Sequence, residues 1–220
     1  MYSSAEENHI KAIYAITERT GEGASTNAVA QRLDTKASSV TDMLKKLSEK
    51  GLVDHEPYHG VALTKAGKRV ALAIIRKHRL WETFLVKHLD YKWDEVHDLA
   101  EQLEHVHSRD LIDRLDKYMG HPKFDPHGDP IPDKHGRVSG ITGARSLDDV
   151  PDGARVDVVG VKDSSPEFLQ LLDGLGLGLG ARLKVVRRFG YDNSIEVDSR
   201  GRNGLLLNER VCGNLLVRPA

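Results

Sequence analysis

The segment Ser38-Ser39-Val40-Thr41-Asp42-Met43-Leu44-Lys45-Lys46-Leu47 decides how the first part of the chain is read. Val40, Leu44 and Leu47 recur at helical spacing, so a helix is expected here, ending near Gly51. Its other face carries Ser38, Ser39, Thr41, Asp42, Lys45 and Lys46. Upstream lies a polar turn, Asp34-Thr35-Lys36, and before it a short helix holding Val29, Ala30 and Leu33, which Ser25 or Thr26 could cap. Residues 4–20 form a further helical stripe through Ile10, Ile13, Tyr14 and Ile16, closed by Gly21 and Gly23. Downstream, Leu52-Val53-Asp54-His55 and Val61-Ala62-Leu63 read as a strand pair turning around Pro57-Tyr58-His59-Gly60. Three helices followed by a two-stranded ribbon make a winged helix-turn-helix, assigned to residues 1–64. In that architecture the first turns of the third helix enter the DNA major groove. Ser38, Ser39, Thr41 and Asp42 would then face base edges and phosphates, while Lys36, Lys45 and Lys46 would hold the backbone. Tyr58 and His59 could touch DNA from the wing tip or simply form a surface turn. A small helical module of this kind can also serve protein contacts.

Thr64 is placed to cap a long helix running to about residue 89, with further helices near 94–106 and 108–119. These make a second, all-α unit, residues 65–120. It carries metal-type ligands at helical spacing. His78 and Glu82 are one turn apart, and His97, Glu101, Glu104 and His105 stand at offsets of four, seven and eight, which places them on one helix face. Imidazoles and carboxylates so arranged could wrap a divalent cation. A solvated, charge-interspersed face gives the same pattern. His88 and His107 point away from this stripe and read as surface residues; Trp81 and Trp93 read as core or dimer packing.

Residues 121–151 change character. His121-Pro-Lys-Phe-Asp-Pro-His-Gly-Asp-Pro-Ile-Pro132 is rich in Pro and Gly and reads as a linker. From about residue 152 to 220 the pattern becomes short and β-like, with strands expected at 154–159, 183–186, 194–197 and 215–217 and a helical turn or two at 166–173. The glycines of Gly174-Leu-Gly-Leu-Gly-Leu-Gly180 lack a following Gly-Lys-Ser/Thr, so a tight bend is expected rather than a phosphate loop. About 65 residues of short strands suggest an all-β, SH3-like barrel.

The bulk numbers narrow the function. The 220 residues are 39% hydrophobic and 30% charged, with a formal net charge of −1, as in globular proteins without a charged tail. The charge balance neither demands nor excludes nucleic acid, because a reader of DNA needs a basic face rather than a basic total. The single cysteine, Cys212, excludes an internal disulfide framework and a Cys-rich zinc site, and it is expected to be buried in a strand. No apolar run approaches the ~18 residues of a membrane span, and no signal segment is visible, so a cytoplasmic location without a membrane partner is expected.

Three motifs together carry a resemblance: Arg76-Lys77-His78-Arg79-Leu80-x-Glu82; Val96-His97-Asp98 with Glu104-His105; and Pro126-His127-Gly128-x-Pro130-Ile131-Pro132. With them the chain resembles, over nearly its whole length, the diphtheria toxin repressor family of metal-activated transcriptional repressors, which includes manganese transport regulators. The resemblance implies a winged helix, a helical metal-binding and dimerisation unit, and a C-terminal SH3-like domain similar to FeoA. It implies a primary metal site from Glu101, Glu104, His105 and Asn8 of the first helix. An ancillary site would use His78, Glu82 and His97, completed from the SH3-like domain by Glu167 or, as a second candidate, Asp163. Some relatives also draw on the linker, here Asp125 and His127, which could otherwise simply cap the turn.

Two departures shape the expected cofactor. Iron-responsive members tend to have a thiol where this chain has Glu101; a carboxylate follows the manganese pattern, and hard oxygen donors suit Mn2+ or Fe2+. Manganese regulators usually place Asp at position 8 and an acid one turn on, whereas this chain has Asn8 and Lys11. Lys11 would repel a second ion close by. Two separated single-ion sites per subunit are therefore expected, in a homodimer that binds double-stranded operator DNA of metal-uptake genes. The alternatives are a helical-bundle metalloenzyme and a FeoA-like interaction module. The enzyme reading lacks the repeated Glu-x-x-His of di-metal oxidases and any His-Glu-x-x-His.

Overall fold

The computed structural model describes residues 2–56 and 60–220, so Tyr58 and His59 of the expected wing tip lie outside the described residues. The chain divides into two compact units. The first gathers Met1–Trp81, Ala100–Tyr118 and Pro132–Arg137; the second gathers Glu82–Leu99, Met119–Ile131 and Val138–Ala220.

The first unit opens with helix α1, Ser4–Thr20, whose start is fixed by a reciprocal cap. Ser3 Oγ accepts the Glu6 N–H, and Glu6 Oε2 accepts the Ser3 N–H at 3.1 Å. Gly21, at φ 72°, ends the helix in the left-handed conformation that glycine adopts without strain. Helix α2, Thr26–Arg32, is capped by Ser25, and helix α3 spans Ala37–Glu49. As the periodicity requires, Val40, Leu44 and Leu47 are buried, packing with Ile10, Ile13 and Val29 in one apolar core. Removing a side chain such as Leu47, with no exposed surface, would cost about 2–5 kcal/mol. Strands β1, Val53–Glu56, and β2, Gly60–Leu63, pair antiparallel, and the ribbon is tied to the chain before α2 by Ala24 pairing with Val61. Thr64 Oγ1 accepts the Gly67 N–H and so starts helix α4, Lys65–His88. Helix α6, Arg109–Tyr118, is anchored to α4 by Arg76, which reaches Asp116 at 2.8 Å and Asp113 at 3.3 Å.

Between them lies α5, which is shorter than the sequence suggests. It spans only His97–Leu103, and Glu104 and His105 occupy the turn that follows. The expected single stripe is therefore split. His97 belongs to the second unit and is exposed, whereas Glu101, Glu104 and His105 belong to the first, where Glu104 has no exposed surface.

The second unit is built on a six-stranded antiparallel sheet. Its strands are β3 (Arg145–Ser146), β4 (Arg155–Val161), β5 (Arg182–Arg188), β6 (Ile195–Ser199), β7 (Arg202–Leu207) and β8 (Leu215–Pro219), in the order β3-β8-β4-β5-β6-β7. The four expected strands are present. β7 was not anticipated, because its Arg-Asn-Gly start hides the apolar end, and neither was the two-residue β3. The sheet also carries two helices. α7, Pro166–Leu175, is longer than the turn or two expected and stops at Gly176, φ 72°; α8, Glu209–Asn214, is capped by Asn208. Phe168, Leu169 and Leu172 of α7 pack with Val156, Val158, Leu183 and Cys212 in one core; Cys212 is buried as expected, but on α8 rather than in a strand. Trp93 packs against this same core, and its indole N–H donates to Asp173 at 3.1 Å.

The Pro/Gly-rich stretch is not a bare linker. Phe124 pairs with Pro130, Ile131 N–H bonds Lys123 O at 2.8 Å, and Ile131 is buried. The His127 carbonyl accepts the Val161 N–H of β4 at 3.0 Å. Gly128 is required here: its φ is +89°, and an added Cβ would stand 2.2 Å from the Val159 carbonyl oxygen.

Candidate metal centres and nucleic-acid face

In the first unit, α1 presents Glu7 and Lys11 toward the segment that closes α5. Lys11 Nζ lies 2.5 Å from Glu101 Oε1 and 2.8 Å from both oxygens of Glu104. His78 of α4 donates from Nδ1 to Glu104 Oε2 at 2.7 Å. His78, Glu101 and Glu104 offer ligand atoms within 4.8 Å of one another, so His78 stands beside the primary set while remaining one turn of α4 from Glu82 of the ancillary one. His105 Nε2 is 4.0 Å from Glu104 Oε1. Asn8 Oδ1 is buried and has no hydrogen-bond partner. A lone buried carbonyl oxygen is costly, and the oxygen and imidazole donors of His78, Glu101 and Glu104 fit a hard divalent cation.

Glu7 is a further residue of this site, which the ligand pattern of the sequence does not single out. Its side chain is buried, and its Oε2 accepts the His105 Nδ1–H at 2.6 Å. Its Oε1 faces Lys77 Nζ at 3.8 Å and His107 Nδ1 at 3.9 Å, although His107 is itself exposed, as expected. Burial holds Lys77 below the usual lysine range, against the pull of Glu7 and Glu104. The signal for Glu7 was its place in the first turn of a helix with apolar residues at 10 and 13.

In the second unit Glu82, Asp125 and His127 are all buried and offer ligand atoms within 4.8 Å of one another. Asp125 Oδ1 accepts the N–H groups of His127 (2.8 Å) and Asp129 (2.9 Å), which folds the Pro-His-Gly turn around the carboxylate. His127 Nε2 donates to the Trp93 carbonyl at 2.8 Å, since a carbonyl can only accept; this leaves Nδ1 facing Glu82 Oε2 at 3.7 Å. Burial opposes charge on this ring. The carboxylates of Glu82 and Asp125 and the Trp93 carbonyl outweigh it and raise the His127 pKa to about 9. A proton on His127 thus offsets buried negative charge, as Lys11 does in the first unit. His97 Nδ1 approaches Glu82 Oε1 at 3.4 Å from an exposed position. Glu167 is exposed in the first turn of α7. Asp163 Oδ1 accepts the Ser165 N–H at 2.9 Å, and its other oxygen is 3.9 Å from Arg210. Neither joins the ligand clusters found among the described residues.

The residues expected to meet DNA are accessible. Lys36, Ser38, Ser39, Thr41, Asp42, Lys45 and Lys46 are all exposed at the start of α3 and along it. Thr41 Oγ1 bonds back to Ala37 O, and Lys45 approaches Asp42 at 3.9 Å.

A winged helix on a scaffold holding two buried oxygen-and-imidazole clusters defines the class of a metal-responsive DNA-binding protein. Comparison with known proteins agrees. Residues 1–61 match the iron dependent repressor N-terminal DNA binding domain, residues 64–133 the iron dependent repressor metal binding and dimerisation domain, and residues 145–219 the FeoA domain. The chain belongs to the diphtheria toxin repressor family, whose members are metal-dependent transcriptional repressors and not enzymes. It is 35% identical over 126 residues to the iron-dependent repressor IdeR of Mycobacterium tuberculosis, an alignment covering 57% of this chain and 54% of IdeR, so the match spans about half of that relative's length. It is 34% identical to the regulator MntR of Oceanobacillus iheyensis, covering 57% of this chain and 84% of MntR. A solved manganese-dependent transcriptional repressor in complex with manganese superposes with a TM-score of 0.85 at 38% identity, covering 98% of this chain and all of that one. No described helix is long and apolar enough to cross a membrane.

Proposed function

We propose that the protein is a homodimeric repressor that binds double-stranded operator DNA when Mn2+ or Fe2+ loads two separate sites in each subunit, and that it acts in the cytoplasm on genes of metal uptake. The observation that carries this reading is the unpartnered, buried Asn8 oxygen on the first helix of the DNA-binding domain, in the same stretch of α1 whose Glu7 bonds His105 and whose Lys11 bonds Glu101 and Glu104. The family match supports the DNA partner and the dimer.

The primary site draws on Asn8, Glu101, Glu104 and His105, with His78 against Glu104. The second site draws on Glu82, Asp125 and His127, with His97 at its edge. When bound, a divalent ion supplies the positive charge these carboxylates otherwise take from Lys11 and from the proton on His127. Asn8 then joins α1 to the turn after α5, which fixes the orientation of the helix-turn-helix. Lys11 keeps the primary site to one ion by filling the place where a second acid would stand. Ser38, Ser39, Thr41 and Asp42 meet the major groove, and Lys36, Lys45 and Lys46 meet phosphates. A coupling of ~1–3 kcal/mol between metal and DNA is enough for a useful switch. The contribution of Glu167 or Asp163 is the remaining part of the proposal, and substitution of each, followed by metal titration, assigns it. The reading is tested by selecting bound sequences from genomic fragments with the Mn2+-loaded protein and repeating the selection in chelator. Equal enrichment in both would overturn it.

A further inference from the structure

We propose that Glu7 is a positioning residue for the primary ion: it sets the tautomer and orientation of His105 so that Nε2 is the ligand atom. The proposal rests on the reading of Glu104 and His105 as ligands. A carboxylate accepts and does not donate, so the 2.6 Å bond from His105 Nδ1 to Glu7 Oε2 requires the proton on Nδ1. The ring then presents the Nε2 lone pair, and Nε2 is the atom that lies 4.0 Å from Glu104 Oε1. Two donors that share one ion, each about 2.0–2.2 Å from it, stand roughly 3–4 Å apart. The second atom of His105 thus faces the carboxylate with which it would share an ion, while the first is tied back to α1.

Glu7 is held in place for this work. Its side chain is 5% exposed, and its other oxygen faces Lys77 and His107. The neighbouring residue is Asn8, whose buried oxygen has no partner. One turn of α1 therefore supplies both a candidate ligand and the carboxylate that orients another. Carboxylates that bind the far nitrogen of a metal-bound histidine fix the ring and raise its basicity, and their loss typically weakens metal binding by about 10–100-fold.

The test uses the full chain. Mn2+ binding to both sites is measured by chelator competition in the wild type and in Glu7→Ala, Glu7→Gln and Glu104→Ala, with circular dichroism to check folding. Nitrogen-15 spectra of the Zn2+-loaded protein report which His105 nitrogen is metal-bound. The wild type should show Nε2 bound and Nδ1 protonated. Glu7→Ala should weaken the primary ion about 10–100-fold and leave the second unchanged. Glu7→Gln, whose carbonyl oxygen still accepts the Nδ1–H, should recover most of that loss, and it carries the test if Glu7→Ala does not fold. Wild-type affinity in Glu7→Ala, ligation through Nδ1, or an equal loss in Glu7→Gln and Glu7→Ala would each overturn the proposal, the last by making Glu7 itself a ligand. If Glu104→Ala keeps the primary ion, the site reading falls and the proposal with it. If Glu104→Ala loses the ion while Glu7→Ala keeps it, only the role of Glu7 falls.

Discussion

Lys11 Nζ stands 2.8 Å from each carboxylate oxygen of Glu104, a side chain with no exposed surface. A fixed cation of the chain itself thus sits against the carboxylate proposed to bind metal. Removing one partner of a buried pair leaves the other uncompensated, at a cost on the order of 3–5 kcal/mol. Lys11→Met should therefore lower the melting temperature of chelator-treated protein and tighten Mn2+ binding at the primary site by about tenfold, equivalent to 1.4 kcal/mol. Differential scanning calorimetry and metal titration measure the two effects. Unchanged melting together with unchanged affinity would remove Lys11 from the site.

His127 gives the metal-free protein a pH dependence. Its pKa is raised from 6.5 to about 9, so the folded state holds its proton more tightly than the unfolded chain. That stabilisation is fully present below pH 6.5 and is lost as pH rises through about 9. Thermal melts of chelated protein should fall across this window, and His127→Gln should flatten the fall. Metal uptake at neutral pH should release the His127 proton, which calorimetry in buffers of differing ionisation enthalpy reads directly.

Gly128→Ala should damage the second site without touching a ligand. The residue sits at φ +89° with the Val159 carbonyl where a Cβ would go, so the Asp125–His127 turn must move away from β4. A loss of about 1–3 kcal/mol in stability is expected, with loss of the second ion and retention of the first. Metal counting on the variant decides this; two ions bound as in the wild type would show that the turn does not set the site.

Lys45→Ala and Lys46→Ala should weaken binding to all DNA sequences alike and lower the salt slope by roughly one for each phosphate no longer neutralised. Both side chains are exposed on α3. A change in sequence preference, with the slope intact, would mean that these lysines read bases instead.

The fold was legible where apolar periodicity was strong. α1, α3 and α4 carry stripes that only a helix can bury on one side, β4, β5 and β6 alternate, and β8 opens with the short apolar run Leu215-Leu-Val217. β7 was not, because Arg202-Asn-Gly204 reads as a turn and its pairing with β6 is a tertiary fact. The end of α5 at Leu103 was invisible for the same reason: nothing local breaks the pattern of His97, Glu101, Glu104 and His105, and the split between two units comes from packing. The ligand types were readable, and their grouping was so only in part. His78 meets Glu104 from another helix, and Glu82 meets Asp125 and His127 from 43 and 45 positions along the chain. Glu7 escaped because a glutamate in the first turn of a helix is ordinarily explained by the helix dipole.

The central claim is that metal at the primary site switches DNA binding. The most direct measurement is the affinity for selected operator DNA, by fluorescence anisotropy at fixed salt, in excess Mn2+ or Fe2+ and in chelator, for the wild type and for Glu104→Ala and His105→Ala. Metal should tighten wild-type binding about 5–150-fold, and neither variant should respond. Equal wild-type affinity with and without metal, or a full metal response in Glu104→Ala, would contradict the account.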